Sequence, residues 1–262
     1  MAEFNQYRPG TFNWVDLATS DAEAAKQFYT KLFGWSFVDM PAGEAGIYTM
    51  LYLEGKEVAG LYQLAEAQQS QGIPPHWMSY VSVVSANETA NKARSLGGQV
   101  VMEPMEVMES GRMGLIQDPT GAMLAIWEPK AHIGTRLANV PGALSWNELA
   151  TTDTDKAGQF YSQLFNWETQ VDEFGPTTYT TFINQGRMNG GMIQMTEEWG
   201  DAPPHWLVYF AVADCDQSAE TAKSLGATIL VPPTDAGDIG RFAVIQDPQG
   251  AVLSIMKLNN PA

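Results

Sequence analysis

An internal repeat constrains this chain more than any other feature. Residues 12–35 and 144–167 are identical at 12 of 24 positions, PPHW recurs at 74–77 and 203–206, and IQDPTGA at 116–122 returns as IQDPQGA at 245–251. The last two blocks keep a spacing of 129 and all three keep their order, so one domain plan is used twice. A chain of 262 residues that is 45% hydrophobic and 11% aromatic is long enough to bury two cores of ordinary domain size. Its one cysteine, Cys215, excludes an intramolecular disulfide framework and a cysteine-rich metal cluster.

Each copy divides again. Residues 11–19 read as a strand, with Val15 and Leu17 on one side and Trp14 and Asp16 on the other by the period of two. Ser20, with Glu23 three residues on, has the form of a capping box, and Ala24, Ala25, Phe28, Tyr29, Leu32 and Phe33 recur at helical spacing up to Gly34. Runs at 35–40, 46–53 and 57–64 read as three further strands, which makes a βαβββ unit. The pattern restarts with a strand at 76–84, a cap at Ser85 with Glu88, and a helical face of Ala90, Ala93 and Leu96 that ends at Gly97 and Gly98. Strands at 99–102, 114–117 and 122–128 complete that unit, with a turn at 118–121 in which Pro119 fixes φ and Gly121 accepts a positive one. The expected organisation is a first domain at 8–130, a linker at 131–142 and a second domain at 143–259. The linker reads AHIGTRLANVPG and has no counterpart in the repeat.

Thirty acidic and fourteen basic side chains leave a formal charge of −16, a surface that repels phosphate backbones and anionic lipid, so nucleic acid is not an expected partner. No run of about 18 apolar residues occurs, and the N-terminal MAEFNQYRPG lacks a basic segment followed by an apolar one, so a membrane span and a secretory signal are not expected. The expectation is a cytoplasmic protein, monomer or homodimer. Walker-type phosphate loops, GxSxG and HExxH are absent from the sequence.

Four βαβββ units, the helix motifs FYTKLFGW and FYSQLFNW, and DPxGA before the closing strand of each half resemble the vicinal oxygen chelate superfamily, which holds glyoxalase I, bleomycin-resistance proteins and extradiol dioxygenases. Tandem glyoxalase-like proteins labelled as hydroxylases look most similar. The resemblance implies an α+β fold of two tandem domains, each a pair of βαβββ units whose sheets curl around a cavity. In the family's metal enzymes His, Glu or Gln ligands enter that cavity from the first and last strands of each unit. Here the resemblance places Trp14 and Met78 at the first-strand positions of the first domain and Trp146 and Leu207 at those of the second, while the closing-strand positions fall near Gly60 and Ala125 in the first and near Gly191 and Ser254 in the second. Only Ser254 offers a side-chain oxygen, so neither a divalent metal nor another cofactor is expected at the family position.

By period two Asp16 shares a face with Trp14 and Glu148 with Trp146, while His76, Met78 and Tyr80 share one face and His205, Leu207 and Tyr209 another. The pseudo-twofold axis implied by the resemblance brings Asp16 towards His76 and Glu148 towards His205. These four are the catalytic candidates, as carboxylate–imidazole pairs of the kind a general base uses. The plainer alternative is a histidine that bonds a loop carbonyl where its strand begins. Candidate ligand-binding residues are Trp14, Met78, Tyr80 and Trp127, and Trp146, Leu207, Tyr209 and Ser254, a flat apolar lining suited to a planar or aromatic small molecule. Arg112 and Arg241, at matched positions, suit either a carboxylate ligand or a salt bridge. His132, in the linker, is expected to face solvent. Three readings stay open: a metal-independent small-molecule binding protein, a lyase- or hydroxylase-like enzyme using carboxylate–histidine pairs, and a metal enzyme of the glyoxalase or dioxygenase type with unconventional ligands such as Asp16, His76, Glu148 and His205.

Overall fold

The first long strand is buried on both faces, which its sequence requires: Val15 and Leu17 pack under a helix while Trp14 and Asp16 point to the opposite side. The computed structural model describes residues 2–43, 46–174 and 177–259. Its first half runs β1 (Ala2–Glu3), β2 (Phe12–Thr19), α1 (Ala22–Phe33), β3 (Ser36–Pro41), β4 (Ile47–Leu53), β5 (Lys56–Gln63), α2 (Glu66–Ser70), β6 (His76–Ser82), α3 (Ala86–Ser95), β7 (Gln99–Val107), β8 (Gly111–Gln117) and β9 (Met123–Pro129). After β10 (Leu137–Ala138) the second half repeats the order as β11 (Leu144–Thr151), α4 (Thr154–Phe165), β12 (Glu168–Phe174), β13 (Thr177–Asn184), β14 (Arg187–Gln194), β15 (His205–Ala211), α5 (Cys215–Ser224), β16 (Thr228–Ala236), β17 (Gly240–Gln246) and β18 (Val252–Leu258).

Each half forms its own eight-stranded sheet, in the orders β3-β4-β5-β2-β6-β9-β8-β7 and β12-β13-β14-β11-β15-β18-β17-β16. The opening strands of the two units lie antiparallel at the centre, and each pairs on its other side in parallel with its own unit's closing strand. This is the α+β architecture of paired βαβββ units. No helix among the described residues is long and apolar enough to cross a membrane.

The sheets are complete within each half, but the helix-side cores are shared. One core joins Phe28, Phe33 and Trp77 to Val208, Phe210, Cys215 and Ile255, and the other joins Val81, Ala90 and Ile116 to Phe160, Trp167 and Trp206. The repeat motifs seal these seams. The Tyr29 hydroxyl donates to Asp247 Oδ2 at 2.8 Å and Tyr161 to Asp118 Oδ2 at 2.9 Å, so the FY of each half bonds the DPxG turn of the other. Trp77 and Trp206 donate to those tyrosine oxygens at 3.0 and 2.9 Å. Trp35 and Trp167 donate to the carbonyls of Gly142 and Gly10, each at 2.7 Å. The buried tyrosine hydroxyls, indole nitrogens and aspartate Oδ2 atoms of these seams therefore all have partners.

Some local expectations change. Helix α1 is capped by Asp21, whose carboxylate accepts from the Ala24 amide, not by Ser20. One residue separates two acceptable N-caps, and the backbone of Asp21 takes the extended conformation a cap requires. Ser85 caps α3 by accepting from the Glu88 amide. Strands β7 and β8 are longer than their alternation suggests, because two register shifts in their pairing break the period of two. Gly121 has a φ of +115°, and Asp118 Oδ1 accepts from the amides of Thr120, Gly121 and Ala122 to hold that turn. The short ribbon of β1 with β10 had no signal in the repeat.

Candidate functional site

On the concave face of the first sheet, register places Trp14 opposite Tyr80 and Asp16 opposite Met78, with Gly60 beside Asp16 in the parallel neighbour. Tyr80 donates to Asp16 Oδ2 at 2.8 Å and Tyr48 donates to the same oxygen at 3.2 Å, while Trp14 Nε1 donates to the Tyr48 oxygen at 3.0 Å. Asp16 is only 3% exposed, and its Oδ1 is buried without a hydrogen-bond partner. Burial pushes its pKa up to about 7, against the opposing pull of the two tyrosine hydroxyls. Burial likewise lifts the phenols of Tyr48 and Tyr80 well above their ordinary range, reinforced by the Asp16 charge.

The second sheet repeats the arrangement. Trp146 lies opposite Tyr209 and Glu148 opposite Leu207, with Gly191 beside Glu148. Tyr209 donates to Glu148 Oε1 at 2.9 Å, Trp146 Nε1 donates to the Tyr179 oxygen at 2.9 Å, and Tyr179 is hydrogen-bonded to Glu148. Burial raises the Glu148 pKa, and the bonds from Tyr179 and Tyr209 hold it down in part. Ser254 lies beside Tyr209 in the parallel register and donates to the Ala243 carbonyl at 3.0 Å.

Both histidine pairings expected from the sequence are corrected. Asp16 and Glu148 are bonded by tyrosines, whereas His76 Nδ1 lies 2.8 Å from the Pro74 carbonyl and His205 Nδ1 lies 2.8 Å from the Pro203 carbonyl. No hydrogen bond or ion pair among the described residues joins either histidine to either carboxylate. The reason is register: His76 sits opposite Ala18, two pairs further out than Asp16 and Met78, at the strand end where the loop carbonyl is nearer. The partners that sequence reasoning missed, Tyr48 and Tyr179, carry a signal of their own. Each begins a Tyr-Thr pair and stands twelve residues before Gly60 or Gly191. A Cβ built on either glycine would overlap that tyrosine's hydroxyl, so the glycine is what admits the ring.

His132 is a second correction. It is not solvent-facing: its side chain is 14% exposed, its ring stands edge-on to Trp14 at 4.5 Å between centroids, and its backbone carbonyl accepts from Trp127 Nε1 at 2.9 Å. Its Nδ1 lies 3.5 Å from Glu57. The apolar lining of Trp14, Met50, Tyr80, Ala125 and Trp127 is buried beneath it with Met78 packed alongside, so the first concave face is filled rather than open. In the second domain Leu207, Tyr209 and Met256 are buried, while Trp146, Glu148 and Phe242 keep partial exposure. Clefts of about 250 and 280 Å³ open elsewhere, one between the N-terminal segment and β5 and the other between α3 and the end of α4. Arg241 is held by Asp216 and Asp235, and Arg112 lies 3.5 Å from Glu106.

The family match is direct. Residues 11–126 and 143–255 each match the Glyoxalase/Bleomycin resistance protein/Dioxygenase superfamily. The chain belongs to that superfamily. Among curated relatives it is 39% identical over 258 residues, 98% of each chain, to CFP32 of Mycobacterium tuberculosis, which carries a provisional glyoxylase name. It is 32% identical over 264 residues, 97% of this chain and 95% of the relative, to the anthracycline biosynthesis protein DnrV of Streptomyces peucetius. In fold it is similar to the Mn(II)-bound glyoxalase of Novosphingobium aromaticivorans, with a TM-score of 0.65 at 15% identity over 97% of this chain and 86% of that one. It is also similar to the 2,3-dioxygenase LapB of Pseudomonas sp. KL28, with a TM-score of 0.66 at 10% identity over 96% and 93%.

Members of this superfamily include metal enzymes, and the donor set here can be tested against one. The matching positions hold an indole, a thioether or isobutyl group, a glycine, and a methyl or hydroxymethyl group, and the Tyr48 or Tyr179 ring fills the space a longer side chain at Gly60 or Gly191 would need. Among the described residues no three His, Cys, Asp or Glu side chains converge. These residues do not fit a divalent ion at that place. What the floor offers instead is a carboxyl group, two phenols and an indole in one hydrogen-bonded chain.

Proposed function

We propose that the protein binds a planar, largely apolar small molecule on a concave sheet face, without a metal at the family position, using the floor carboxyl and its tyrosine to hold a polar edge of the ligand. The observation that carries this reading is the carboxyl–tyrosine–tryptophan floor, built from matched residues in both halves, with a flat aromatic wall beside a group able to donate or accept. The anthracycline biosynthesis name of one relative points to the same ligand class, a fused planar ring system. Titration of intrinsic tryptophan fluorescence with quinizarin, a planar dihydroxyanthraquinone, tests it. Saturable quenching with a Kd of about 10 μM or tighter, unchanged after dialysis against a chelator, is the expected result. Binding that disappears on chelation and returns with a divalent cation would overturn the metal-independent part.

One observation favours a second reading, a proton-transfer enzyme of the lyase or hydroxylase-like kind. A carboxyl group pushed up to about 7 is matched to general acid–base work at neutral pH, and a neighbouring phenol is suited to polarise a carbonyl. The pairs would then be Asp16 with Tyr80 and Glu148 with Tyr209, in place of the histidine pairs. Turnover that survives a Glu148→Gln, Asp16→Asn double substitution would sink this reading.

A further inference from the structure

The two concave faces share a floor but differ at the mouth. In the first domain residues 131–136 of the linker are stitched over the end of the sheet. Thr135 N donates to the Asn13 carbonyl at 2.7 Å, Asn13 Nδ2 donates to the Ile133 carbonyl at 2.8 Å, and Arg136 N donates to the Glu57 carbonyl at 2.7 Å. Gly134, at a φ of +112°, lies so close to the Asn13 backbone that any Cβ would overlap it. This strap lays the His132 imidazole against Trp14 at 85° between ring planes and within 5.8 Å of the Trp127 ring, and His132 Nε2 is left buried with no partner. Trp14 is 4% exposed beneath this ring, and Asp16, enclosed by Tyr48 and Tyr80, 3%.

At the matched positions of the second domain, Trp127 is replaced by the slimmer Met256, and Trp146 is half-buried where Trp14 is buried. The same aromatic wall is thus buried beneath His132 in one copy and partly exposed in the other.

We infer that the two copies have divided roles: the first concave face is occupied by the chain's own His132, whose imidazole sits where a ligand's ring would sit, and the second, around Trp146, Glu148, Tyr209 and Phe242, is the face that takes ligand. This rests on reading the concave face as a ligand site and adds which copy serves and what shape fits. The internal occupant is a flat, edge-on heteroaromatic ring, so the external one is a planar ring system that presents an edge to the indole and a carbonyl or hydroxyl oxygen to the floor carboxyl.

The experiment is a stoichiometry measurement with quinizarin on the full chain. Wild type binds one equivalent, and Trp146→Ala weakens that binding at least tenfold. His132→Gly, which removes the internal ring and leaves a cavity of its shape, binds two equivalents, and 4-methylimidazole displaces only the second. Two equivalents on the wild type, or tight binding that survives Trp146→Ala, would overturn the division of roles while leaving the binding reading in place. A His132→Gly variant that keeps its circular dichroism and still binds one equivalent removes the part played by His132. Failure of every variant to bind sinks the binding reading and this inference with it.

Discussion

A carboxyl group surrounded by rings responds to pH differently from one in water. Asp16 ionises near 3.8 in the unfolded chain and near 7 in the fold. Between those values the folded protein holds a proton the unfolded chain has released, so this group's contribution to stability falls as pH rises from about 4 to about 7 and is level above that. The full effect is on the order of 4 kcal/mol. Replacing Asp16 with Asn should remove this dependence. Urea midpoints measured at pH 4.5 and 7.5 should show the variant gaining on the wild type at the higher pH, and parallel curves would contradict the assignment. At this scale the sequence was half legible. Alternation put Trp14, Asp16, Met78 and Tyr80 on one face, yet it could not say that Asp16 would be met by tyrosines, because a strand's periodicity reports a side chain's face and not its partner.

Among elements, the seating of the Tyr48 ring of β4 over β5, and of the Tyr179 ring of β13 over β14, depends on one glycine each. Gly60→Ala and Gly191→Ala should each cost about 1–3 kcal/mol by forcing the Tyr48 or Tyr179 ring out of its place, read as lower urea midpoints. Loss of the tyrosine's bond to the carboxylate should also appear as a changed tyrosine fluorescence. The helices and turns were largely readable, since caps and DPxG turns act within a few residues. The bulged β7 and β8 were not, because a bulge breaks the period on which such reading depends.

Across the whole molecule, the two halves have separate sheets and common cores. Tyr29→Phe should strand Asp247 Oδ2 and the Trp77 indole without their shared hydroxyl, at a cost of about 1–3 kcal/mol, and Tyr161→Phe should do the same to Asp118 and Trp206. Because Phe33 packs on Phe210 at 5.0 Å and Phe12 on Trp206 at 5.0 Å, neither half has a helix-side core of its own. Thermal unfolding should therefore be one transition with calorimetric and van't Hoff enthalpies in agreement. Two resolved transitions in a calorimetric scan would show the halves to be independent.

The sequence by itself determined the duplicated βαβββ plan, the faces of its central strands and the turns at the two DPxG motifs. All of these follow from residues that are close in the chain or repeated at a fixed spacing. Only the tertiary structure decided that Tyr29 meets Asp247 across the two domains, that tyrosines rather than histidines hold the buried carboxyls, and that His132 covers one of two matched faces. Those contacts join residues far apart in the chain, and His132 has no counterpart in the repeat. Neither periodicity nor spacing carries information about them until the sheets have curled and the cores have closed.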